Sequence, residues 1–137
     1  MTKTALKWII VLIGIIIISS CGYNPNFTID GNCIVAPGET WFGNVDLEVL
    51  ETGHHYIVDR NYELDGSNKV CFDQLPKAYS IISYSDSTAI RGINFSEGHT
   101  IKICRSGGCR AGVCKIFVFK SGELAVDKER FWYYKKR

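Results

Sequence analysis

Hydrophobic positions fall into two regimes along this chain. From Trp8 to Ile18 they run without a polar break for 11 residues, preceded by Lys3 and Lys7 and followed by Ser19, Ser20 and Cys21. After that they alternate in short bursts. Asn44 to Glu51 is the cleanest case: Val45, Leu47 and Val49 point one way while Asp46 and Glu48 point the other, the period of a half-buried strand. His54 to Tyr62, Lys69 to Phe72, Tyr79 to Tyr84, Ala89 to Phe95, Thr100 to Cys104 and Cys114 to Phe119 are further β-prone runs, each bounded by Gly, Pro, Asp, Asn or Ser. Asp30-Gly31-Asn32 separates two more short pieces, Phe27 to Ile29 and Cys33 to Ala36, as a hairpin turn would. Val126 to Lys135 fits either a helix or a closing strand. The pattern predicts an all-β fold, a small sandwich or open barrel of seven to eight short antiparallel strands.

An apolar run of 11 residues behind two lysines has the length of an export-signal core and is shorter than the roughly 20 residues of a bilayer-spanning helix. Ile18-Ser19-Ser20-Cys21 resembles the lipobox of bacterial lipoprotein signal peptides, where small residues admit the peptidase and the cysteine thiol receives a diacylglycerol. The resemblance implies a signal peptide over 1–20, lipid attachment at Cys21, a tether over 21–26 and one β domain over 27–137. Gly22 in place of Asp after that cysteine resembles the pattern sent to the outer membrane. The membrane is then a partner through the N-terminal lipid, since several acyl chains hold a protein where one does so marginally.

Removing 1–20 leaves 117 of 137 residues, enough for one domain. The domain's charges balance but are unevenly placed. From Cys21 to His99 there are 11 acidic residues against Arg60, Lys69, Lys77 and Arg91, a net of −7; from Thr100 onward 10 bases face Glu123, Asp127 and Glu129, a net of +7. Six cysteines in a small exported chain read as disulfides. With Cys21 carrying lipid, Cys33, Cys71, Cys104, Cys109 and Cys114 remain, and five thiols admit 15 schemes of two pairs. Cys104 and Cys114 flank CRSGGCRAGVC, a glycine-rich loop between two strand-like runs, and would close its neck if bonded. Cys33 with Cys71 is the other candidate bridge.

Candidate chemistry is sparse. No GxSxG, HExxH or SxxK is present, the glycine-rich loop lacks the Lys-Ser/Thr of a P-loop, and neighbouring His54 and His55 point to opposite faces of a strand. Neither catalytic residues nor a metal or other cofactor is expected. Export also argues against nucleic acid as a partner of the Phe131-Trp132-Tyr133-Tyr134 segment. Binding is the remaining class. Arg105 and Arg110 on the Cys104 to Cys114 loop, with Lys135, Lys136 and Arg137 at the end, form the expected partner-binding set, suited to an acidic protein surface.

Cys33-Ile34-Val35-Ala36-Pro37 and Val70-Cys71-Phe72-Asp73-Gln74-Leu75-Pro76, placed after the lipobox, resemble small enterobacterial periplasmic lipoproteins described as type VI secretion immunity proteins. The resemblance spans about half the chain, and the triple-cysteine segment departs from it. It implies a non-enzymatic, membrane-anchored periplasmic domain that inhibits a delivered toxin. The alternative is a structural or surface-exposed envelope lipoprotein without a dedicated ligand.

Overall fold

A computed structural model describes residues 2–20, 24–38, 40–107 and 110–134. Among these residues one helix, α1 (Lys3–Ser20), precedes ten strands: β1 (Thr28–Asp30), β2 (Cys33–Val35), β3 (Val45–Val49), β4 (His54–Arg60), β5 (Lys69–Cys71), β6 (Tyr79–Ser83), β7 (Ala89–Ile90), β8 (Thr100–Gly107), β9 (Arg110–Lys120) and β10 (Glu123–Tyr134). They form two open antiparallel sheets, β1-β2-β5 and β10-β9-β8-β3-β4-β6-β7. The all-β expectation holds. Ten strands replace seven to eight because both arms of the first hairpin pair as strands and the ambiguous C-terminal segment is the long strand β10.

Turn chemistry fixes the hairpins. Asp30 pairs with Cys33 across Gly31-Asn32, with Gly31 at φ 62°, a conformation that a Cβ disfavours. Ser121 and Gly122 join β9 to β10 at φ 52° and 79°, the two positive angles of a type I′ turn whose twist suits a two-residue hairpin. Glu97 holds that turn from outside, its carboxylate accepting the Ser121 N–H at 2.9 and 3.0 Å.

The core lies between the sheets. Val45, Leu47 and Val49 of β3, Val58 of β4, Ile81 of β6 and Ile101 and Ile103 of β8 face Ile34 and Val70 of the smaller sheet. Phe72, Phe95 and Phe119 fill one end by edge contacts at 5.6 and 5.7 Å between ring centres. Each sheet carries one cross-strand disulfide. Cys33–Cys71 joins directly opposed residues of β2 and β5, and Cys104–Cys114 those of β8 and β9, with Cα separations of 3.9 and 4.0 Å. Both candidate bridges are thus formed.

By contrast, α1 packs on nothing described. Every side chain from Thr2 to Ile13 is exposed, Trp8 at 67%, although most of the segment is apolar. Among the described residues no helix is long and apolar enough to cross a membrane.

Candidate interaction surface

The bridge at Cys104–Cys114 does not close the neck of a loop, because the ladder continues past it. β8 runs on to Gly107 and β9 starts at Arg110, with Gly107 opposite Arg110. This places Arg105 in the inward row behind Ile101 and Ile103, where it is 1% exposed. Its guanidinium donates to the carbonyls of Asn24 (3.3 Å), Asn26 (2.9 Å) and Trp41 (3.2 Å) and lies 4.6 Å from the centre of the Phe42 ring. A charge so enclosed cannot meet a partner surface. The partner-binding role expected of Arg105 is therefore corrected: it is a core residue that ties the segment after the helix, and the segment before β3, to the larger sheet. Arg110 begins β9, and its side chain lies outside the described residues, as do Lys135, Lys136, Arg137, Cys21 and Cys109.

What the large sheet turns outward is different in sign. Strand registers set Cys104, Asp46, Ile57, Ile82 and Ala89 in one row across β8, β3, β4, β6 and β7, and Lys102, Glu48 and His55 in the next. Asp59 and Ser80 begin a third. Over these five strands three carboxylates stand against one lysine; the second row runs on through Ile116 to Lys128, and Lys120 pairs with Glu123 farther along the same two strands. At the middle, the His55 ring stacks on Tyr84 with centres 4.4 Å apart, the Tyr84 hydroxyl donates to Asp46 Oδ1 at 3.4 Å, and His55 Nε2 is 3.9 Å from the same oxygen. Partial burial, then the Asp46 charge, push the Tyr84 phenol up, so it stays a donor at neutral pH. Tyr84 is 57% exposed, and the side chains of His55 and Asp46 are 45% and 43% exposed.

This cluster escaped the sequence reading because the pairing of β4 with β6, which brings Tyr84 beside His55, is a long-range register that a strand period does not give. In that register the Tyr84 N–H donates to the His55 carbonyl at 3.0 Å, extending the β4–β6 ladder by one residue. Among the described residues no group of three His, Cys, Asp or Glu side chains is placed to hold a metal. What the face can do is present an aromatic, an imidazole and carboxylates together on a hydrogen-bonded sheet. No known protein family, characterised protein or solved structure matches this chain.

Proposed function

We propose that the chain is a membrane-anchored periplasmic binding lipoprotein that inhibits a delivered protein by covering it, in the manner of an immunity protein. The observation that carries this reading is the outward face of the large sheet over β8, β3, β4, β6 and β7. It shows solvent an exposed aromatic, Tyr84, among charged and polar side chains, and a surface of that make-up suits a protein partner. Three carboxylates against one lysine favour a basic counterpart, reversing the sign inferred from the basic end of the chain. The lipobox-like Ile18 to Cys21 and an exposed apolar helix that the fold does not cover support export and lipid attachment at Cys21, on the periplasmic side of the outer membrane. Disulfides in both sheets suit an oxidising compartment.

The test is capture from cell envelopes by the detergent-solubilised protein and by an Asp46→Lys/Glu48→Lys variant. One stoichiometric partner, bound less well as salt rises and lost in the variant at unchanged melting temperature, is the expected result. Capture indifferent to both changes removes the sheet face from the interaction. No stoichiometric partner at all points instead to an envelope structural lipoprotein.

A further inference from the structure

A second surface lies at the end of β4, among residues that belong to none of the outward rows. Trp41, Arg60, Tyr62, Glu63, Leu64 and Asp65 line a concave cleft of about 420 Å³. Its three large apolar side chains are displayed to solvent, with Trp41 60%, Tyr62 69% and Leu64 44% exposed. Rings this exposed contribute little to the core.

The walls of the cleft are nevertheless fixed. On one side, the Trp41 carbonyl accepts from buried Arg105, and Phe42 next to it donates to the Ser67 carbonyl at 3.0 Å and accepts from the Tyr79 hydroxyl at 2.6 Å. On the other, Asn61 N–H donates to the Ala78 carbonyl at 2.7 Å, while its own side chain and carbonyl accept from the N–H groups of Glu63 (3.0 Å) and Leu64 (3.2 Å). Tyr62 closes over Gly43, where an added Cβ would stand 2.8 Å from the phenol oxygen. Little ordering is left for a ligand to impose.

The charges in the cleft are the unusual part. Arg60 lies between the Tyr62 ring, 4.7 Å from its centre, and Gly66, where a Cβ would come within 2.6 Å of the guanidinium. Its Nε is buried with no hydrogen-bond partner among the described residues. Glu63 and Asp65 share the cleft, yet among the described residues the two ion pairs are Lys69–Asp30 and His55–Asp46, and neither involves these three groups. Glu63 and Asp65, both exposed, therefore keep their acceptors open to solvent. Here the donors and the acceptors are held apart, beside two exposed aromatic faces.

We infer that this cleft binds a saccharide. A pyranose ring offers an apolar C–H face for Trp41 or Tyr62 and a rim of hydroxyls, each both donor and acceptor. One ligand of that kind satisfies the Arg60 fork and the Glu63 and Asp65 carboxylates together, whereas a purely anionic ligand would meet repulsion from the two carboxylates and a cationic one from Arg60. This inference is independent of the protein-binding role of the sheet face.

The experiment is titration of the full chain in detergent with hexamers of β-1,4-linked glucose, α-1,4-linked glucose and β-1,4-linked N-acetylglucosamine, followed by calorimetry and by tryptophan fluorescence. At least one series is expected to saturate with a Kd on the order of 1 mM or tighter. Trp41→Ala should abolish the fluorescence change, and Glu63→Gln/Asp65→Asn should weaken binding about tenfold or more, both at unchanged melting temperature. Since the double variant removes only exposed charge, loss of fold does not obscure its result. No saturable binding by any of the three hexamers overturns the inference, as does binding that both variants leave intact. Either result leaves capture of a protein by the sheet face unaffected, so the two readings fail separately.

Discussion

Arg105 offers the sharpest test of how this fold is held, because its buried and exposed readings predict different magnitudes for one substitution. Arg105→Met keeps most of the apolar stem while deleting the guanidinium and its place over the Phe42 ring. The carbonyls of Asn24, Asn26 and Trp41 then lose a charged donor at 2.9 to 3.3 Å. A hydrogen bond to a charged group contributes about 1.5–3 kcal/mol, but the three share one cation and water can replace part of what is lost. The net cost is therefore about 3–5 kcal/mol, a large share of the 5–15 kcal/mol that stabilises a typical domain. Urea unfolding of the oxidised protein, followed by far-ultraviolet dichroism, measures it as a lower midpoint at unchanged slope. An exposed docking arginine would change stability by no more than about 0.5 kcal/mol. A measured loss below about 1 kcal/mol refutes the role assigned to Arg105 in the core.

Further outcomes are expected. Cys33→Ser/Cys71→Ser should destabilise more than Cys104→Ser/Cys114→Ser, since the loops span separations of 38 and 10 residues and chain entropy assigns them about 4 and about 3 kcal/mol; equal unfolding midpoints for the two variants would contradict this. Cys21→Ser should abolish metabolic labelling by a fatty acid, and labelling that persists rules out lipid at that thiol. The Thr100 side chain, and to a lesser degree backbone N–H groups including that of Thr100 at 2.7 and 2.9 Å, hold the Glu51 carboxyl below the usual range. A depressed folded-state pKa gives stability that is complete above the unfolded value of about 4.3 and lost as pH falls through the folded value. Glu51→Gln should flatten that acid limb of the unfolding midpoint, and an unchanged limb would show that the contact does not couple to folding.

Much of the fold was legible because its strands obey a two-residue period. β3 carries the alternation of Val45, Leu47 and Val49 into the core without exception, and the Asp30 to Cys33 turn appears where Gly31 marked it. Reading failed where a side chain, rather than a period, ends an element. Ala89 to Phe95 looks like one strand, yet pairing stops at Ile90. Arg91 then donates to the carbonyls of Leu75, Pro76 and Tyr79, and Gly92 sits where a Cβ would come within 2.5 Å of the Asp73 carbonyl oxygen. The Arg105 error has a related source. Ile101, Ile103 and Arg105 form an inward row visible in the sequence, but a charge breaks the apolar alternation, and the glycines nearby suggest a loop. The Trp41 to Tyr62 cleft was not legible at all, since its walls are brought together by tertiary contacts, among them Tyr62 over Gly43 and the Arg60 N–H donating to Asn44 Oδ1 at 3.1 Å.

Charge was the feature most easily misread, and the structure shows why. An acidic first part and a basic last part imply either pairing across the sandwich or a basic docking surface. Several of the bases do neither. Arg105, Arg91 and Lys115 donate to backbone carbonyls, the last to Phe27, whose ring its ammonium also overlies at 5.0 Å. Glu51 and Glu97 accept backbone N–H groups at the starts of β8 and of the β9–β10 turn. Short strands leave many main-chain groups without a ladder partner, and a buried carbonyl without a donor costs as much as a lost hydrogen bond. Long charged side chains reach those groups where the backbone cannot. A formal charge count adds such residues to the surface field although their charge is committed to the fold. Once they are set aside, the outward face over β8, β3, β4, β6 and β7 is governed by Asp46, Glu48 and Asp59 against Lys102, and it is from this remainder that the sign of a partner must be argued.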